Sequence, residues 1–162
     1  MAAQSRRERL RAELIGEIIA SARVLLENEG SAAISVRGIA RQIGVSPPAI
    51  YRYFPSLDAL IGAVRESVTG ELCAAIEPAR DQPEHMARAF RGWALDNPAS
   101  FRFMLGLDGH GTLAAPLPAP PPAALLPWAA LCGLALLELA CDREDLPDNL
   151  DRLYETAARL AG

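Results

Sequence analysis

The double proline Pro47-Pro48, just beyond Gly44, constrains the fold of this chain more than any other feature. It sits inside residues 35–54, SVRGIARQIGVSPPAIYRYF. Before it, Val36, Ile39, Ala40 and Ile43 recur at helical spacing. Gly44 then stops that helix, as a glycine just past a helix end does. Ser46 suits an N-cap, and Pro47 at the first helical position forfeits no hydrogen bond. Pro48 is tolerated for the same reason, because the first N–H groups of a helix have no intrahelical partner. Ile50 and Phe54 lie four apart and point inward, leaving Ala49, Tyr51, Arg52 and Tyr53 outward or sideways. Two short helices joined by a tight glycine turn, the second presenting Arg and Tyr, form a helix-turn-helix.

Helical signals continue on both sides. Residues 8–29 carry an apolar stripe of Leu10, Leu14, Ile18, Ala22 and Leu25, closed by Gly30. Arg6, Arg7, Arg9 and Arg11 lie at its start, either as a flexible basic arm for DNA phosphates or as a solvated terminus. Ser56 is the N-cap of a helix to about residue 77, with Asp58 in its first turn and Leu57, Leu60, Ile61, Val64, Val68, Leu72 and Ile76 as its stripe. Further helices are expected at 84–96, with Met86, Phe90, Trp93 and Ala94 inward, and after Asn97-Pro98, carrying Phe101, Phe103, Met104 and Leu105. Three Gly and five Pro make 106–122 a loop. Helices over 127–141 and 147–161 follow. The fold class is all-α.

Composition narrows the function. The 162 residues are 51% hydrophobic and 22% charged, which suits a globular protein with a sizeable core. No uninterrupted apolar run reaches membrane-span length, and the N-terminus lacks a secretory apolar core, so a cytoplasmic protein is expected. All 16 basic residues are Arg. The net charge of −4 is uneven: residues 1–60 hold eight Arg against six acidic groups, residues 61–162 eight against fourteen. That asymmetry has the sign expected of a DNA-facing N-terminal part. Cys73, Cys132 and Cys141 show no metal or disulfide spacing and read as small core residues. His85 and His110 are isolated, and no nucleophile constellation or Gly-rich phosphate loop is present. An enzyme is not expected, nor a cofactor or a metal.

The elements Val36-Arg37-Gly38-Ile39-Ala40, Gly44-Val45-Ser46, Ala49 to Phe54 and Ser56-Leu57-Asp58-Ala59-Leu60 together resemble the tetracycline-repressor (TetR) family of bacterial transcriptional regulators. The resemblance is specific from about residue 11 to 70. Farther on, Asn97 to Gly106 is similar to a segment of one regulatory-domain type. Trp128 to Gly133 is similar to its Trp-x-x-x-His-Gly signature, with Cys132 in place of His. The stretch between these segments, about 20 residues, is shorter than such members usually carry. Leu57 stands where the family often has a phosphate-binding Lys, and Gly38 in a helix interior costs about 1 kcal/mol relative to Ala. That glycine suggests close approach of another helix or of the DNA backbone.

The resemblance implies an N-terminal helix-turn-helix domain over 8–55 and a helical ligand-binding and dimerisation domain over 56–162, linked by the helix at 56–77. The expected DNA contacts are Ser35, Arg37, Ser46, Pro47, Pro48, Ala49, Tyr51, Arg52 and Tyr53. Arg37 suits a bidentate contact to guanine, worth about 1–3 kcal/mol of discrimination. Pro48 and Ala49 suit thymine methyls, the serines suit phosphate, and Tyr51 and Arg52 reach bases or backbone. Tyr53 is expected on phosphate because the matching family position is. The resemblance also implies a homodimer through helices 127–141 and 147–161, binding a palindromic double-stranded DNA operator as a ligand-responsive repressor. An apolar effector pocket would draw on Phe90, Trp93, Phe101, Met104, Leu105 and Trp128. The alternative is a dimeric DNA-binding protein with no small-molecule pocket, controlled by a protein partner or constitutive.

Overall fold

The structure, a computed structural model, describes residues 2–107 and 125–160, with side chains from Arg6 onward except that of Arg143. His110 and most of the expected loop at 106–122 lie outside the described residues. Among those described there is no strand, and eight α-helices account for most of the chain. They are α1 (Ala2–Glu29), α2 (Val36–Gln42), α3 (Pro47–Tyr51), α4 (Leu57–Ile76), α5 (Pro83–Asp96), α6 (Pro98–Met104), α7 (Leu125–Ala140) and α8 (Leu150–Arg159). The fold is an all-α helix-turn-helix domain with a helical C-terminal domain. No described helix is long and apolar enough to cross a membrane.

Contacts divide the chain into two units, Met1–Val68 with Arg102–Ala115, and Thr69–Phe101 with Pro116–Gly162. In the first, Ile18, Ala22 and Leu26 of α1 are buried at i, i+4 and i+8 and pack with Ile34, Val36, Ile39, Ala40 and Ile50. The Ser21 hydroxyl donates to Gln42 Oε1 at 3.0 Å and ties α1 to the end of α2. The apolar stripe of α1 begins later than its sequence suggests. Leu10 is 57% exposed, and the buried apolar positions of this long helix begin only at Ile18. The N-terminal arginines likewise stand on regular helix and not on a flexible arm.

Ser56 caps α4 by accepting from Ala59 N at 3.1 Å. Leu60, Val64, Val68 and Leu72 then bury one full stripe as α4 runs from the first unit into the second. Arg65 is buried beside this stripe, its guanidinium 5.4 Å from the ring of Phe103.

In the second unit α5, α7 and α8 pack pairwise. Small residues line the contact: Ala87 and Ala94 of α5, Ala135 of α7, and Ala157 and Ala158 of α8 are all buried. They let the axes approach closely. Ala87 takes a buried position expected for Met86, which is only half-buried. Phe90 fills the centre, with its ring edge-on to Phe101 at 5.8 Å and to Trp128 at 5.4 Å. Beside this apolar core lies an ionic one. Arg91 Nε donates to Glu138 Oε2 at 2.8 Å, and the Tyr154 hydroxyl donates to the same oxygen at 3.2 Å. Arg91 also pairs with Asp151 and stacks 5.1 Å from the Tyr154 ring. Burial, and then the charge of Glu138, push the Tyr154 phenol well above its ordinary value. Farther along α8, Arg159 hydrogen-bonds Glu84 and holds that carboxyl below its usual range.

Of the three cysteines only Cys132 is a core residue; Cys73 and Cys141 are exposed. Cys73 follows the buried Leu72 by one residue, a rotation of about 100° around the helix, and Cys141 lies just beyond α7. Burial pushes the Cys132 thiol up to about 12 from an ordinary 9.0. Its contribution to stability is therefore complete below about pH 9 and is lost as pH rises toward 12, since the unfolded thiol releases its proton first. An aromatic disulfide reagent at pH 8 is expected to modify Cys73 and Cys141 rapidly in the folded protein. Cys132 should react only on denaturation, and its fast labelling in the native state would contradict this packing.

Candidate nucleic-acid interface

The corner between α2 and α3 is set by local capping. Ser35 is the N-cap of α2, with its Oγ accepting from Gly38 N at 3.1 Å. This accounts for Gly38: a Cβ there would lie 2.9 Å from Ser35 Oγ and 3.7 Å from the Leu25 side chain. The glycine accommodates the cap, with α1 behind it. At the other end Gly44 adopts φ +72, and Val45 N donates to Ala40 O at 2.9 Å. That is the Schellman closure, which needs a residue without a Cβ at the left-handed position.

α3 follows at once. Ser46 holds the N-cap position with extended backbone, and its carbonyl accepts from Ala49 N at 2.9 Å. Its side chain makes no capping bond, so the hydroxyl expected to cap serves no helix N–H. Pro47 and Pro48 occupy the first two helical positions, where no N–H is needed. Ile50 is fully buried and is the only buried residue of α3; Phe54, just beyond, is also buried.

The anchored helix turns the expected contact residues outward. Ser35, Arg37, Ser46, Pro48, Tyr51 and Arg52 are exposed, and Pro47, Ala49 and Tyr53 are half-exposed. Tyr51, a large aromatic, is 50% exposed on α3. Arg37 and Arg52 have no carboxylate partner among the described residues, and both guanidiniums are available to an outside anion. In the second unit, by contrast, Arg80, Arg88, Arg91 and Arg159 are all paired with acids. The overall charge of −4 thus conceals an unneutralised basic face on the helix-turn-helix.

Phe90, Phe101 and Trp128 meet edge to face in the second unit, while Met104 and Leu105 fall in the first. Phe90, Phe101 and Met104 are buried, and Trp93, Leu105 and Trp128 are half-buried. The indole N–H of Trp128 is buried without a hydrogen-bond partner. A polar cavity of about 460 Å³ in the second unit has Arg91, Glu138, Cys141, Asp148 and Asp151 in its wall. Among the described residues no group of three or more His, Cys, Asp or Glu side chains could hold a metal ion.

Residues 18–64 match the family model for bacterial regulatory proteins of the tetR family. Residues 18–64 are thus similar to the N-terminal domain of that family. It is 32% identical over 120 residues to the HTH-type transcriptional regulator Rv1816 of Mycobacterium tuberculosis, covering 68% of this chain and 51% of that protein. The chain thus spans about half the length of the curated relatives it matches. Among solved structures, it is similar to a protein of unknown function from Rhodococcus sp. RHA1, with a TM-score of 0.68, 24% identity, and coverage of 91% of this chain and 93% of the other. It is also similar to a TetR/AcrR-family transcriptional regulator from Thermobifida fusca, with a TM-score of 0.52, 20% identity, and coverage of 92% and 96%. The structural likenesses speak to the fold, and two of these proteins are named as transcriptional regulators.

Proposed function

We propose that this protein is a DNA-binding transcriptional regulator that acts as a homodimeric repressor on a palindromic operator. The observation that carries the reading is α3 with its C-cap: five helical residues, one buried anchor, and an outward face of Tyr51 and the C-cap Arg52, whose guanidinium has no acidic partner among the described residues. A helix presented in this way fits the major groove, with Arg37 reading guanine, Pro48 and Ala49 meeting thymine methyls, and Ser35, Ser46 and Tyr53 on phosphates.

One such module binds weakly, and a two-fold pair reads half-sites about 34 Å apart. Leu125, Leu126 and Leu137 of α7 and Leu160 after α8 are exposed, which supports pairing of two copies through these helices. Helix α4 links DNA-binding domain 8–55 to a C-terminal domain, 56–162, that we assign to the Trp-x-x-x-His-Gly type with Cys132 at the His position. In such a dimer, a ligand favouring the wrong recognition-helix spacing lowers DNA affinity by linkage.

For control of that dimer, the buried edge-to-face packing of Phe90 and Phe101 favours the second reading over an effector pocket. With Phe90 and Phe101 committed to the core, the regulator in this reading answers to a protein partner or acts constitutively. A thermal-shift screen of apolar metabolites separates the two: reproducible stabilisation by any compound supports an effector, and none supports the second reading.

Selection from a random duplex library tests DNA recognition. The purified protein is expected to enrich two inverted half-sites, and Arg37→Ala to relax one base position in each half. A library that emerges without any enriched sequence counts against sequence-specific binding.

A further inference from the structure

The buried core positions of α1 begin at Ile18, so the N-terminal half of this helix lies largely outside the core of the first unit. Arg7, Leu10, Arg11 and Leu14 recur at i, i+3, i+4 and i+7 and so share one face. That face and the end of α3 enclose a groove of about 610 Å³, lined by those four residues with Arg52 and Tyr53. Its lining holds three guanidiniums and no carboxylate. None of the three arginines has an acidic partner among the described residues. Glu8 and Glu13 of α1 project from other faces of the helix, about 100° and 240° round from Arg7. One internal contact organises the groove: the Arg11 guanidinium lies 5.9 Å from the centroid of the Tyr53 ring.

We propose that Arg7, Arg11, Arg52 and Tyr53 form a clamp for the sugar–phosphate backbone of a DNA duplex, in which Arg11 also positions the Tyr53 ring. The proposal rests on the DNA-binding reading above and adds α1 to the contact surface. A cation stacked on an aromatic face fixes the ring plane while its remaining N–H groups stay free to donate. The phenol and the guanidiniums then converge on phosphate oxygens, and Leu10 and Leu14 offer an apolar wall to deoxyribose. Such contacts are blind to sequence; they set register on the duplex and leave base reading to α2 and α3. Arg6 and Arg9 lie off this face and take no part.

The test needs no operator. Binding to a random-sequence duplex is followed by fluorescence anisotropy between 50 and 200 mM NaCl. Each lost phosphate contact should flatten the slope of log K against log salt by about 0.9. Arg7→Gln and Arg11→Gln are each expected to do so, with melting temperatures unchanged. Arg11→Lys should recover the slope, and Tyr53→Phe should weaken binding in the wild type but have little further effect in Arg11→Gln. Arg152→Gln, on the exposed face of α8, should match wild type. Folded Arg7→Gln and Arg11→Gln proteins with wild-type slopes would overturn the clamp alone. Independent effects of Tyr53→Phe and Arg11→Gln would remove the positioning role. Failure of the wild type to bind any duplex would overturn both the clamp and the regulator reading.

Discussion

Ile50→Ala is expected to abolish DNA binding while leaving most of the helical content in place. α3 has only five residues, far below the length at which a helix persists on its own. Its N-cap Ser46 makes no side-chain capping bond, and it is held by one fully buried side chain, Ile50. Truncating a buried Ile to Ala costs about 2–5 kcal/mol through lost transfer energy and the cavity left behind. Here that loss falls on the only apolar anchor of the presenting helix. The stability of α3 against local opening should therefore fall by most of that amount. Binding is expected to drop by at least two orders of magnitude, at about 1.4 kcal/mol per tenfold. Tyr51→Ala provides the contrast. It removes an exposed side chain, so it should change stability by no more than about 0.5 kcal/mol and still weaken binding. Anisotropy titrations and thermal melts of the two variants check this. Equal melting temperatures and equal affinities for Ile50→Ala and wild type would contradict the anchoring role.

Phe90→Ala should produce the largest loss of stability of any single substitution in the C-terminal unit. Phe90 is 1% exposed and packs edge-on against Phe101 and Trp128. A buried Phe→Ala change costs about 3–5 kcal/mol, and the two aromatic pairs add to it. Against a total stability of about 5–15 kcal/mol for a folded domain, the loss is a large fraction. A domain of this size loses about 4–8 °C of melting temperature per kcal/mol, so a drop of more than 10 °C is expected. Hydrogen exchange should locate the loosening in α5, α7 and α8. If Phe90 instead bordered an open effector pocket, the variant would melt within a few degrees of wild type.

The helix-turn-helix was legible because its instructions are local. Ser35, Gly44 and Pro47 each act within a few residues, through a cap, a left-handed closure and a helix start. The structure places them as the spacing requires. Gly38 was legible as an anomaly but not as to cause, since its reason is the Ser35 hydroxyl folded back over it.

The ionic core of the second unit left no trace in the sequence. Arg91 meets Glu138 and Asp151 across 47 and 60 residues, and none of these side chains belongs to a spaced motif. The burial of cysteines followed helix rotation, which apolar neighbours in sequence do not report: Cys132 faces inward and Cys73 outward. Leu10 misled for a related reason. A periodic stripe states which face could be buried, but the length of the partner surface decides how much of it is. The exposed remainder of α1 became half of the proposed phosphate groove.

The central claim is tested most directly by titrating purified protein against the DNA flanking its own coding sequence, in the presence of excess scrambled competitor. Saturable binding is predicted, displaced by the unlabelled fragment and not by the scrambled one. Arg37→Ala is expected to weaken it by about tenfold to a hundredfold, corresponding to one lost bidentate base contact. Tyr51→Ala should weaken it as well, with both variants folded as wild type. Absence of any competitor-resistant complex, together with Arg37→Ala and Tyr51→Ala indistinguishable from wild type, would contradict the account.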